Sequence, residues 1–200
     1  MFLSEKERDE TIWACRFCMM CHCADRVGQV VRRESYTPRG RGAIIFGLDE
    51  GLLEYDEGVA DIMYTTLNDR MLQHWCVGNY DHEELVIDAR ARIFEKGLAP
   101  EGVIAYAKNL RNNPVRGGDP VEILSDAGVT MDSDSDTLMF CGSAARDSQQ
   151  ATLIAAGKLF NQAGIPFKVL GDEPSSGWAL YQLGDFEGAK QLSALLAEKI

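Results

Sequence analysis

The stretch that decides the fold runs from residue 13 to residue 25 and reads WACRFCMMCHCAD. Within it, Cys15, Cys18 and Cys21 have the spacing C-x-x-C-x-x-C, and Cys23 follows two residues later. Two-residue gaps let one tight loop direct three thiolates at three irons of the same iron–sulfur cluster. The stretch therefore predicts a loop that binds one [4Fe–4S] cluster, whose fourth thiolate must come from another cysteine.

That fourth ligand is predicted to be Cys76, with Cys23 as the alternative ligand. In two-cluster bacterial ferredoxins the run is C-x2-C-x2-C-x3-C-P, and its last cysteine binds the other cluster. Asp25 occupies that last position here. Counting back from Cys76 by the same spacing meets Leu72, Asp69 and Thr66. We interpret Cys76 as the remaining cysteine of a second run, which closes the cluster held by the first run.

Composition narrows the function classes. The chain has 200 residues, 46% of them hydrophobic, and a formal net charge of −11. Such a charge repels nucleic acid and anionic membranes, so neither is an expected partner. No apolar run reaches the roughly 18 residues of a membrane span, so direct membrane insertion is not expected. Clustered cysteines without an export signal indicate a reduced, cytoplasmic metal protein, which a partner protein could still hold at a membrane.

Hydrophobic spacing predicts a helical N-terminal part. Helices are expected over residues 4–14, 57–74, 82–97 and 99–112, and Ser4 is the expected cap of the first. A loop is expected over residues 34–42, where proline and glycine interrupt the pattern.

The C-terminal part has a different pattern. Strands over residues 137–141 and 166–170 are expected to alternate with helices over 147–163 and 184–199, which predicts a parallel strand–helix–strand–helix unit. The predicted fold class is α+β: a helical ferredoxin-like iron–sulfur module over residues 1–117, followed by a small parallel α/β half-domain over residues 118–200.

These motifs together resemble the family that contains the D-type component of heterodisulfide reductase and the iron–sulfur component of glycolate oxidase. The resemblance rests on the cysteine run, on Thr37-Pro38-Arg39-Gly40-Arg41 after it, on Ala89-Arg90, and on residues 138–184. It implies a helical two-run ferredoxin module followed by the first half of a cysteine-rich domain. It also implies an electron-transfer subunit whose partner is a larger, flavin-bearing chain of an oxidoreductase.

The departures from that family limit what the resemblance implies. Ser175 and Ser176 stand where the family has paired cysteines, and Cys141 lies beside the family's first cysteine position. The disulfide-reducing chemistry of the family is therefore not expected here. The chain is instead expected to carry electrons through one [4Fe–4S] cluster, without a catalytic site of its own.

Two other functions stay open. The cysteines could hold a structural zinc ion or a non-redox cluster in an assembly adaptor, because zinc also accepts four cysteine thiolates. A thiol oxidoreductase is the weaker alternative, because the C-x-x-C pairs lack a thioredoxin-like strand–loop–helix setting. The sequence contains neither a G-x-G-x-x-G nor a G-x-x-x-x-G-K-[ST] motif, so no nucleotide cofactor is expected.

Overall fold

The computed structural model describes residues 3–15 and 17–200, and this part of the chain is largely helical. In chain order its helices are α1 Glu5–Ala14, α2 Arg26–Val31, α3 Pro38–Asp49, α4 Glu57–Tyr64, α5 Met71–Trp75, α6 His82–Glu95, α7 Glu101–Asn112, α8 Pro120–Asp126, α9 Ser143–Asp147, α10 Gln150–Gln162, α11 Trp178–Gln182 and α12 Phe186–Ala197. Short 3-10 helices cover Met20–Cys23 and Glu34–Tyr36. No helix in the described ranges is long and apolar enough to cross a bilayer.

The chain divides into two compact units. The first contains the described residues up to Ala107 together with Leu180–Phe186, and the second contains Lys108–Ala179 and Glu187–Ile200. The predicted cluster ligands all belong to the first unit.

The core of the first unit lies among α3, α4 and α6. Ile45, Met63, Val86 and Ile93 have no exposed surface, and Leu85 is 1% exposed. Burying each such side chain contributes about 2 kcal/mol relative to leaving it in water. This core fixes α3 and α6, whose first residues include Pro38, Arg39 and His82 in the pocket described below.

Several helix predictions are confirmed, with shifted ends. Helix α1 begins after Ser4, whose hydroxyl accepts from the Glu7 amide at 3.3 Å while the Glu7 carboxylate accepts from the Ser4 amide at 3.0 Å. The single helix predicted over residues 57–74 is in fact two helices, α4 and α5. Asn68 and Arg70, between them, adopt φ values of 56° and 57°, which a continuous right-handed helix excludes.

The predicted loop over residues 34–42 was wrong in its second half. Thr37 caps α3 by accepting the Gly40 amide at 3.1 Å, and Pro38 occupies the first helical position. Proline is well suited there because the first turn needs no amide donor and the ring fixes a helical φ. The proline and glycine thus mark a helix start, not a break.

The predicted fold class was also wrong, because the described residues form no sheet and so no parallel α/β half-domain. The two expected strands do meet, but only in one isolated parallel bridge between Leu138 and Lys168. The Met139 amide donates to the Lys168 carbonyl and the Lys168 amide to the Thr137 carbonyl, both at 2.9 Å. Pairing ends there, so helices supply the regular structure of the second unit.

A buried carboxylate explains why the pairing stops. Glu173 is fully buried, and it accepts the amides of Cys141 at 2.7 Å and Gly142 at 2.8 Å. These amides would otherwise be available to extend a strand ladder. Arg146, also fully buried, donates to the Glu173 carbonyl at 2.8 Å. The expectation that these segments are buried is confirmed at Met139 and Phe167. The amides of Cys141 and Gly142, however, bond to Glu173 and not to a neighbouring strand.

Candidate metal centre

All four preferred ligands line one pocket, here called the thiol pocket. Its cysteines are Cys15, Cys18, Cys21 and Cys76. It contains about 400 Å³ of empty space between atom surfaces, part of it open to solvent. Cys23 does not line it: this side chain is exposed, and its thiol donates to the Met20 carbonyl at 3.0 Å. Four cysteines thus share the lining of one pocket, and Cys23 lies outside that lining.

The end of α1 positions Cys15. Its amide donates to the carbonyl of Ile12 at 3.2 Å, and Ile12 is only 3% exposed. The chain then turns at Phe17, which has a φ of 49° and donates its amide to the Cys15 sulfur at 3.3 Å. An amide directed at a ligand sulfur is a recurrent contact in iron–sulfur sites, where it stabilises negative charge on the sulfur.

The end of α5 positions Cys76. Its amide donates to the Gln73 carbonyl at 3.1 Å, closing the helix. Two residues later, a Cβ atom on Gly78 would lie 2.7 Å from the Ala14 carbonyl oxygen and 3.8 Å from the Cys76 sulfur. Only glycine lets these two segments approach so closely. This contact holds Cys76 beside the first cysteine loop despite their separation in sequence.

The start of α3 forms another wall of the pocket. A Cβ atom on Gly40 would lie 1.9 Å from the Glu34 carbonyl oxygen, so the helix start packs directly on the preceding backbone. At Gly42 a Cβ atom would lie 3.1 Å from Tyr80 Oη and 3.6 Å from Cys15 Sγ. Glycine at this position therefore leaves room beside a candidate ligand.

The two arginines of this segment have different environments. Arg39 lines the thiol pocket, and its Nε donates to the Glu34 carboxylate at 2.7 Å. That bond raises the pKa of Arg39 above its usual value, with a smaller contribution from the nearby Cys21 and Cys18 thiols. Arg41 is fully buried instead, and its guanidinium donates to carbonyls just beyond and within the last turn of α4. Arg39 is the cation that lies at the pocket itself.

The four positions at which a two-cluster protein would have further cysteines have other roles. Asp25 is 5% exposed and caps α2 with its carboxylate. The Thr66 carbonyl accepts from Arg90 at 3.3 Å, and the Asp69 carboxylate accepts an amide at the start of α5 at 3.1 Å. Leu72 is buried and lines the thiol pocket. Asp25 and Asp69 therefore accept amides at helix starts, and Leu72 packs in the pocket wall.

The pocket disfavours the thiolate form of Cys21. Burial, with smaller contributions from the nearby Cys15, Cys18 and Cys76 thiols, raises the pKa of Cys21 to about 11. The pKa of the Tyr80 phenol is raised for the same reasons, burial first and then the neighbouring thiols. A thiol in such surroundings ionises more readily when a cationic group binds it.

The donor set fits a cluster by its chemistry. No group of three or more His, Cys, Asp or Glu side chains in residues 3–15 and 17–200 is arranged to hold a metal ion. A [4Fe–4S] cubane makes a different demand, because each thiolate binds its own iron and the ligands surround a volume, not a point. Four thiols that line one apolar pocket are the ligand type and number that such a cubane needs.

Left-handed backbone is concentrated near the cysteines. The non-glycine residues with positive φ in the described part of the chain are Phe17, Arg32, Asn68, Arg70 and Asn79, with values between 49° and 57°. Each such residue costs on the order of 1 kcal/mol relative to a relaxed conformation. Four of them, at positions 17, 68, 70 and 79, lie within eight residues of a candidate ligand, and Arg32 ends α2.

Large apolar side chains are exposed in the segments that carry the cysteines. Five of them lie within two residues of a cysteine in sequence, are here called the apolar rim, and are at least half exposed: Trp13 (53%), Met19 (65%), Met20 (52%), Trp75 (50%) and Val77 (80%). Met20 is also part of the pocket lining. Exposed apolar side chains that form a contiguous patch usually mark an interaction surface.

Sequence reasoning did not single out Tyr80 and His82, although both line the pocket. Tyr80 is 6% exposed and His82 is 1% exposed. Neither belongs to a spacing motif, so no local pattern could have identified them. Their role depends on the turn after Cys76, which directs both toward the thiols.

Comparison with known proteins gave no relative: no protein-family model matches the chain, and neither the curated proteins nor the solved structures contain a match.

Proposed function

We propose that this chain is an electron-transfer subunit of a larger oxidoreductase and carries one [4Fe–4S] cluster on Cys15, Cys18, Cys21 and Cys76. The observation that supports this best is the convergence of these four thiols on one pocket, although Cys76 lies 55 residues after Cys21.

The residues of the chain supply binding, shielding and charge. The four cysteines bind as thiolates, and Leu72 and Pro38 in the pocket wall keep water away from them. The Phe17 amide and the Arg39 guanidinium offset negative charge near the ligand sulfurs. When bound, the cluster supplies one-electron transfer. We assign no catalytic residue, so the substrate would belong to a partner.

The apolar rim supports a partner docked over the pocket, where the distance for electron transfer is shortest. Residues 26–41 contain five arginines and one glutamate, in a chain whose net charge is −11. Arg39 of this segment lines the pocket. A partner with an apolar patch and an acidic border would complement this face. The family resemblance suggests a larger, flavin-bearing chain in the cytoplasm, either alone or within a membrane-associated complex.

Cluster loading of matched variants tests the proposal. The protein is reconstituted anaerobically with iron and sulfide, and iron, sulfide and zinc are quantified for wild type, Cys23→Ala and Cys76→Ala. Wild type and Cys23→Ala should each bind about four irons and four sulfides per chain. They should also give an EPR signal after reduction with dithionite. Cys76→Ala should lose most of its iron, while circular dichroism verifies that its helices persist.

Three outcomes would contradict the proposal. A colourless protein with one zinc per chain would favour the structural adaptor instead. So would a cluster that no reductant reduces. Loss of iron in Cys23→Ala but not in Cys76→Ala would retain a cluster and reverse the ligand assignment. Co-purification with a larger redox protein is the expected result for the native complex.

A further inference from the structure

His82 has unusual surroundings for a buried histidine. It is the first residue of α6, it is 1% exposed, and it lines the thiol pocket. Neither ring nitrogen has a hydrogen-bond partner within residues 3–15 and 17–200. Most buried polar side-chain atoms in folded proteins are paired, so an unpaired imidazole at a pocket indicates a partner that the protein atoms do not provide.

The neighbours of His82 keep its ring neutral. Burial, with smaller contributions from the guanidinium groups of Arg41 and Arg90, lowers its pKa to about 3. The ring of Tyr80 lies 6.0 Å away, centroid to centroid, in a tilted contact. A neutral imidazole has one N–H donor and one bare nitrogen acceptor. Cluster sulfurs accept hydrogen bonds, whereas arginines offer none of the acceptors that the donor needs.

We infer that His82 donates its ring N–H to a sulfur of the cluster and thereby raises the reduction potential of that cluster. The inference rests on the proposed function, because it needs a cluster in the thiol pocket. A hydrogen bond to a cluster sulfur stabilises the reduced, more negative state, so it raises the potential. His82 would then act as a potential-setting contact and not as an iron ligand, since four thiols already complete the ligand set.

The chain has only three histidines, which makes a spectroscopic test sharp. Protein labelled with ¹⁵N at histidine is loaded with iron and sulfide and reduced, and pulsed EPR detects nitrogen near the cluster. Wild type should show one weakly coupled ¹⁵N. His82→Leu should lose that coupling and shift the midpoint potential downward. His74→Leu is the matched control, because His74 is exposed and stands two residues before Cys76; it should retain both properties.

A second variant keeps the test decisive if His82→Leu folds poorly. His82→Gln retains an N–H donor of similar reach, so its potential should stay closer to that of wild type while the labelled coupling disappears. An unchanged potential and coupling in His82→Leu would overturn the inference. A strong coupling, typical of nitrogen bound to iron, would also overturn it by making His82 a ligand.

The inference and the proposed function fail in distinguishable ways. Iron and sulfide analysis precedes spectroscopy, so a wild-type protein without a cluster overturns both. A fully loaded wild-type protein that shows no histidine coupling overturns only the role of His82.

Discussion

Thiol reactivity in the cluster-free protein offers a quantitative test of the pocket. Burial raises the pKa of Cys21 to about 11 from the usual 9.0 of an unperturbed thiol. At pH 8 about one unfolded thiol in ten is thiolate, but only about one in a thousand of the folded Cys21 thiols is. The folded protein therefore has roughly a hundredfold less of the reactive form.

Part of this difference is offset, because a thiolate of higher pKa is intrinsically more nucleophilic. With a Brønsted coefficient near 0.4–0.5, two pK units increase the reactivity of each thiolate up to about tenfold. The net expectation is that folded Cys21 reacts about tenfold more slowly with iodoacetamide at pH 8 than the same residue in urea.

The assay is time-resolved alkylation followed by peptide mass spectrometry. Cys23 is the internal reference, because it is exposed and lies in the same peptide. Its rate should change much less between the folded and the urea-unfolded protein. Equal rates for Cys21 in the two states would refute the account of an apolar pocket of converging thiols. So would a rate–pH profile for folded Cys21 that levels off below about pH 10.

Two further predictions concern the fold that carries the site. Gly184 has a φ of 85°, and a Cβ atom there would lie 2.5 Å from backbone atoms of α6. The Gly184→Ala change should therefore lower the free energy of unfolding, measured in urea, by about 2 kcal/mol or more. The matched Gly102→Ala change, in open space within α7, should instead stabilise it slightly, and equal midpoints for the two variants would contradict the packing described. Glu173→Gln should cost about 3 kcal/mol or more, because it leaves Arg146 as a buried charge without its carboxylate, whose nearest oxygen is 3.7 Å away. Asp172→Asn, at an exposed neighbouring site, should leave the unfolding midpoint unchanged, and a similar loss in both variants would show that burial of the pair is not the cause.

Local signals predicted the helices well where capping and periodicity agree. Ser4 before an acidic first turn marked α1, and the start of α6 at His82 is the one expected from the sequence. The break between α4 and α5 was missed, because left-handed conformations at Asn68 and Arg70 depend on tertiary contacts. An apolar spacing pattern continues across such a break without change.

The sheet prediction failed for a comparable reason. Residues 137–141 and 166–170 have the apolar character of buried strands, and their cores are indeed buried at Met139 and Phe167. Strand character in a sequence indicates burial, but a sheet also needs free backbone donors. Here the Glu173 carboxylate accepts the amides of Cys141 and Gly142, which would otherwise extend the ladder. Because Glu173 is more than thirty residues away in sequence, no local pattern indicates this competition.

For the site, cysteine spacing predicted the set of thiols that the structure brings to one pocket. It could not predict the walls, because Tyr80 and His82 reach the pocket only through helix packing and a turn. The spacing also could not show that Cys23 lies outside the pocket. That depends on the 3-10 geometry of Met20–Cys23, which directs the Cys23 thiol to a carbonyl.

The left-handed residues around the ligands have a consequence for maturation of the protein. The free-energy cost of left-handed backbone falls in the connecting segments, at Phe17, Asn68, Arg70 and Asn79. The helices of the core have ordinary backbone conformations and are well buried. Segments that carry such a cost open at lower free energy than the core does. If the proposed cluster binds, its insertion would require only these connections to open, and the bound thiolates would then hold them closed without refolding of the helices.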